Sequence, residues 1–256
     1  MISIMVRKNQ KILKKIILSL ASACFWVGVW AVAALWVDKE LFLPTPWAVA
    51  KSLGELLPTA AFWKIVGMSF VRVILGYLPG VMFGVIGGIL TAKIKVLDVL
   101  FSPMLTVVRA TPVTSFIMLT LVFLGRDTVP QFIVFLMVLP IVWANVAEGI
   151  KTVDPKLKEV CVVYGLSVKR RWKILYLPHC LPYFSAGALT SLGFAWKAGI
   201  AAEVLCTPKN SIGKMVYDAK VYLESSQVFA WTLVVVLFSL ILEKLLKYCL
   251  ERGKRA

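Results

Sequence analysis

The chain is written in long apolar runs separated by short polar clusters, and that spacing predicts helices able to cross a membrane. Charge-free stretches recur at Ile16 to Val37, Val73 to Ala92, Thr128 to Ala147, Cys180 to Trp196 and Ser225 to Leu242. Each is close to the ~20 residues that carry a helix across ~30 Å of hydrocarbon. Between the second and third lies Val96 to Gly125, apolar but carrying Asp98, Arg109, Pro103 and Pro112. An interior proline removes a helical hydrogen bond and crowds the preceding turn, so this stretch reads as one broken span. The pattern predicts an all-α polytopic membrane protein with about six transmembrane helices. Residues 1–64 read as an N-terminal cytoplasmic segment, a first anchor and an outer loop; residues 65–256 read as the transmembrane domain, with a loop at 151–182.

Composition strengthens this picture: 60% of residues are hydrophobic and only 16% charged, far from the soluble average. The first span follows the basic residues Arg7, Lys8, Lys11, Lys14 and Lys15, but it outruns the 7–15 apolar residues of a secretory signal, so it reads as an uncleaved anchor. The net charge of +16 is explained by topology. If both termini are cytoplasmic, the larger share of the 29 Lys and Arg falls in cytoplasmic segments, as the positive-inside rule requires. The partners implied by that charge are anionic membrane lipids rather than nucleic acid. The outer loops are short, with a surface helix expected over Ala48 to Leu57. The five cysteines, Cys24, Cys161, Cys180, Cys206 and Cys249, lack metal-ligand spacing and read as core filler, so no metal site is expected.

The loop at 151–182 is the most specific part of the chain. Asp154-Pro155 is a helix start, with an acceptor at the N-cap and a proline where its missing N–H costs nothing. Gly165 ends that helix, because glycine enters the left-handed conformation without a steric penalty. Between them Leu157, Val160, Cys161 and Tyr164 fall on one apolar stripe. A helix this short is marginal alone and needs something to dock against. Ser167 can cap a second, basic helix carrying Lys169, Arg170, Arg171 and Lys173, which is expected to stop at Leu177-Pro178.

These residues resemble the cytoplasmic signature of permease subunits of bacterial binding-protein-dependent ABC importers: Glu-Ala-Ala, three residues, Gly, nine residues, Ile-x-Leu-Pro. Here it stands as Glu159-Val160-Cys161, Gly165 and Leu175-Tyr176-Leu177-Pro178, with every gap of the right length. Val160 and Cys161 replace the alanines and Leu175 the isoleucine. Leu43-Pro44-Thr45-Pro46, Arg72-Val73-Ile74-Leu75-Gly76, Arg109-Ala110-Thr111-Pro112 and Ala202-Glu203 are similar to the sulfonate, taurine and nitrate branch. The resemblance implies that the loop is a coupling helix seated in a separate ATPase. Leu157, Val160, Cys161 and Tyr164 would be its docking face, Glu159 a polar contact, Gly165 its corner, and Leu177 and Pro178 its far boundary. It also implies a homodimer, two copies of the ATPase, an extracytoplasmic solute-binding protein, and residence in the bacterial inner membrane. No catalytic residue and no bound cofactor is expected in this chain. Gly213-Lys214 and Gly253-Lys254 lack the rest of a phosphate loop, so ATP and Mg belong to the partner ATPase.

Two other readings compete. An ion-coupled secondary transporter would use intramembrane charges, but it leaves the loop unexplained. A membrane enzyme would have to rely on His179, the single histidine, with no Asp, Glu or Cys cluster to orient it; a head-group contact is expected there instead. Arg109, Lys197 and Glu203 are the candidate pathway charges. Lys197 and Glu203 are separated by ~9 Å of rise and ~120° of rotation on a helix, so they do not form a pair. The structural alternative has Glu203 reaching the outer interface, Lys197 snorkelling toward it, and Arg109 satisfying carbonyls freed at Pro112.

Overall fold

The structure, a computed structural model, describes the backbone of residues 2–253, with side chains described for residues 17, 18 and 20–252. The basic side chains before the first span lie outside the described residues. In order the helices are α1 (Ile2–Val37), α2 (Pro46–Leu56), α3 (Ala60–Lys93), α4 (Lys95–Ala110), α5 (Val113–Phe123), α6 (Val129–Lys151), α7 (Pro155–Val163), α8 (Val168–Arg171), a π-helical turn at Trp172–Tyr176, α9 (Leu177–Cys206), α10 (Ile212–Val221) and α11 (Ser225–Gly253). Five of these runs are long and apolar enough to span a membrane. The pair α4 and α5, bent by 103° between Ala110 and Val113, makes the broken sixth.

The centre of the fold is α6, packed between α3 and α9. What lets α3 approach α6 is a run of glycines at every fourth residue: Gly76, Gly80, Gly84 and Gly88. A β-carbon on each would stand only 2.2, 2.8, 2.9 and 2.7 Å from the nearest atom of α6. Small residues at this spacing bring backbones together where lipid supplies no hydrophobic drive between helices. On the other side of α6, Gly187 and Gly199 of α9 lie against Asn145 and Val134. The inward side chains Val73, Val134, Val138, Val142, Ala195 and Trp196 fill the core. Two buried indole N–H groups find partners: Trp143 Nε1 donates to Thr91 Oγ1 at 2.9 Å and Trp196 Nε1 to the Val235 carbonyl at 2.9 Å.

Two boundaries differ from expectation. Helix α3 begins at Ala60, well before Val73, because the charge at Arg72 that ended the apolar reading is buried and paired. The basic helix after Ser167 does not stop at Leu177-Pro178. The chain stays helical from Val168 to Cys206, 39 residues, and Pro178 sits in the first turn of α9, where a missing N–H is tolerated. The wide turn before it, closed by Leu177 N–H donating to the Trp172 carbonyl, absorbs the change of register. Cys161, Cys180 and Cys206 are buried as core residues, whereas Cys24 and Cys249 are exposed.

Candidate functional site: the elbow and the intramembrane charges

The elbow starts from a fixed point. Val153 is buried, and Asp154 Oδ1 accepts the Lys156 N–H at 2.8 Å, with Pro155 next to the cap. At the other end Gly165 N–H donates to the Val162 carbonyl at 2.9 Å and Leu166 N–H to the Cys161 carbonyl at 3.1 Å. That pair of bonds is the Schellman closure, and it requires the left-handed Gly165, at φ +62°. No atom lies within 4 Å of where a Gly165 side chain would stand, so the corner is open to a partner.

The expected stripe divides in two. Leu157 and Val160 are about half exposed and Tyr164 is 77% exposed, whereas Cys161 is only 7% exposed. Cys161, with the half-buried Lys158, faces the protein's own bundle. The exposed apolar face of α7 therefore consists of Leu157, Val160 and Tyr164, flanked by the exposed Glu159. Leu177 and Pro178, also exposed, open α9.

Four contacts brace the elbow. Lys151 pairs with Asp98 of α4 at 2.7 Å. Lys93, ending α3, lies 4.3 Å from the ring centroid of Trp172. Arg171 Nε donates to the Leu166 carbonyl at 2.7 Å. Thr152 Oγ1 lies 3.3 Å from His179 Nε2, and the His179 ring sits beside Tyr183. The histidine thus contributes to this bracing.

The three candidate charges fall in three environments. Arg109, in the last turn of α4, donates to the Pro140 carbonyl of α6 at 2.6 Å; it crosses to a neighbouring helix and does not turn back to the break at Pro112. Lys197 is exposed and lines a groove of about 490 Å³ between α9 and α11 with Thr190, Phe194, Glu243, Lys244 and Lys247. Glu203 is 1% exposed, so it reaches no interface. Its Oε2 accepts from Ser69 Oγ at 2.8 Å and from the Gly213 N–H at 3.2 Å, and its Oε1 lies 3.3 Å from Arg72 Nη1. The three are not brought together.

Arg72 is the residue sequence reasoning left without a role. An arginine and a glutamate in separate apolar helices form a pairing signal in themselves, because each is costly in hydrocarbon alone. Among the described residues no three His, Cys, Asp or Glu side chains gather around a common metal position.

Residues 80–254 match the family described as "Binding-protein-dependent transport system inner membrane component". A Bacillus subtilis protein whose name assigns it to aliphatic sulfonates transport is 29% identical over 80% of this chain and 74% of its own length. The nitrate import permease protein of Leptolyngbya laminosa is 28% identical over 75% of this chain and 68% of its own. The bicarbonate transport system permease protein of Synechococcus elongatus is 26% identical over 64% and 59%. A solved structure titled as an amino acid ABC transporter with histidines shares the fold, with a TM-score of 0.56 at 15% identity, covering 75% of this chain and 92% of that one.

Proposed function

Because the chain belongs to the family of binding-protein-dependent transport system inner membrane components, we propose that it is the membrane-spanning permease of an ATP-driven importer for a small anion, with α7 as its coupling helix. The single observation that carries the coupling role is the geometry of the elbow. A short helix holds Cys161 inward, offers Leu157, Val160 and Tyr164 outward, and ends on a left-handed glycine with open space beside it. Apolar side chains left half or fully exposed on a braced helix suit a groove on a separate ATPase. From there the unbroken helical run to Cys206 leads into the membrane.

The elbow and both termini face the cytoplasm in this reading, which agrees with the distribution of basic residues. The exposed apolar faces of α4 and α5 support pairing with a second copy, each copy engaging one ATPase, and an extracytoplasmic binding protein delivers the solute. ATP-driven closure of the ATPases moves the elbows and switches access from one side to the other. The solute reading rests on relatives named for sulfonates, nitrate and bicarbonate and on Lys197, whose groove has three lysines and one glutamate. Glu203 drops out of the pathway because it is buried and paired, and Arg109 is engaged by the Pro140 carbonyl.

The test is reconstitution of the permease with its ATPase in proteoliposomes, with the binding protein added outside. Uptake of an anionic solute that needs both partners and ATP supports the reading. Solute uptake driven by a proton or sodium gradient, with no ATPase present, overturns it in favour of a secondary carrier.

A further inference from the structure

At the end of α9 remote from the elbow, Ser69, Arg72 and Glu203 are buried together, at 0%, 5% and 1% exposure. The carboxylate of Glu203 is bound by Ser69, by Arg72 and by the N–H of Gly213. Ser69 Oγ also accepts the Ile212 N–H at 2.9 Å, so the start of α10 is tied to both α3 and α9. Gly213 fits only as glycine, since a β-carbon there would stand 2.4 Å from Glu203 Cβ. Arg72 then reaches two carbonyls of the connector before α10, Asn210 at 3.1 Å and Lys209 at 2.6 Å. Its remaining contact is with Asp127, on the corner between α5 and α6, at 3.6 Å.

These contacts differ in kind. Removing one partner from a desolvated pair leaves a buried charge and is strongly unfavourable, so Glu203, Arg72, Ser69 and the start of α10 move as one body. The Asp127 side chain is 68% exposed while Arg72 is 6% exposed, and 3.6 Å is beyond hydrogen-bond length; with one partner in solvent, this is the weakest of the contacts and yields first. Helix α9 belongs to a helical run that spans ~58 Å from Val168 to Cys206 at 1.5 Å per residue. Displacement of the elbow therefore has a direct route to this cluster.

We propose that Arg72 and Glu203 form a latch at the extracytoplasmic end of α9, positioning α10 for the resting state, and that the Arg72–Asp127 contact is the part released when the transporter cycles. Arg72 and Glu203 are positioning residues in this proposal, which rests on the reading of α7 as the coupling helix. Releasing that contact separates the cluster, and with it the far end of α9, from the α5–α6 corner without waiting for the binding protein. The latch is thus what keeps hydrolysis dependent on that partner.

The experiment measures MgATP hydrolysis by the full complex in proteoliposomes, with and without binding protein. Asp127→Asn leaves the buried pair untouched and, since Asp127 is exposed, leaves assembly unchanged. Its hydrolysis without binding protein should rise about two- to fivefold, the population shift that loss of an exposed ion pair supports, and the stimulation ratio should fall in proportion. Asp127→Glu should restore dependence on the binding protein, a rescue that general loosening would not produce. Spin labels at Arg126→Cys and Lys220→Cys should report a changed distance between the α5–α6 corner and α10 in the Asp127→Asn complex. Unchanged basal hydrolysis and stimulation in Asp127→Asn overturn the latch while leaving the transporter reading intact. A wild-type chain that binds no ATPase at all overturns the coupling-helix reading, and the latch with it.

Discussion

Gly76 of α3 lies so close to α6 that a β-carbon on it would stand 2.2 Å from the carbonyl oxygen of Gln131. A backbone atom cannot swing aside as a side-chain tip can, so the two helices must separate to admit even a methyl group. Gly76→Ala should lower stability by about 1–3 kcal/mol, the usual cost of overpacking. Thermal unfolding in detergent checks this, with Gly67→Ala as the control. Gly67 lies on the same helix with nothing within 4 Å of its missing side chain, and its substitution should leave the transition unmoved.

At the elbow the cost comes from the backbone instead of from packing. Gly165→Val forces a branched side chain into the left-handed region, a penalty of about 1–2 kcal/mol. It also fills the open corner beside α7. The protein should still insert and fold, while binding-protein-stimulated ATP hydrolysis in vesicles falls to the unstimulated level. Retention of normal stimulation would show that the corner tolerates a side chain against its partner.

The two sides of α7 should behave differently. Tyr164→Ala removes the most exposed member of the proposed docking face, at 77% exposure, and should weaken capture of the ATPase in detergent roughly tenfold or more, as truncation of an aromatic anchor does. Lys158→Ala, on the side that carries Cys161, should change capture little. Equal losses in the two pull-downs would mean that α7 seats by some other face.

Much of this region was legible in the sequence because its signals are local. Asp154-Pro155 and Gly165 are governed by bonds within a few residues, and the structure places the cap, the helix and the left-handed corner where they were expected. The assignment of Cys161 to the docking stripe failed for a different reason. Periodicity gives the face of a helix, but a stripe wide enough to include both Val160 and Cys161 can be shared between a partner and the protein's own core. Proline misled in a similar way: Leu177-Pro178 reads equally as the end of one helix or the first turn of the next, and here the helix continues through the wide turn at Trp172–Tyr176 into α9. The Arg72–Glu203 pair joins residues 131 positions apart, beyond any local pattern. The glycines at every fourth residue of α3 were open to reading from the start, since that spacing is itself a signal of close helix approach.

Lys197 separates the remaining alternatives for the solute path. Lys197→Met should reduce uptake of an anionic solute several-fold while leaving assembly with the ATPase and basal hydrolysis intact, because the side chain is exposed and makes no ion pair with a described residue. Uptake equal to wild type, measured with the same reconstituted complex, would return Lys197 to the role of a residue reaching for the membrane surface.

The π turn from Trp172 to Tyr176 has a consequence best put in terms of screw phase. One surplus residue in that turn sets everything beyond it about 100° away from the azimuth that an uninterrupted α-helix starting at Val168 would give. The segment carrying Lys169, Arg170 and Arg171 is therefore indexed separately from the length of α9 that turns Trp196 toward α11 and Gly199 toward α6. A helix of uniform pitch could satisfy only one of those two settings. With the wide turn between them, one continuous helical run meets both settings.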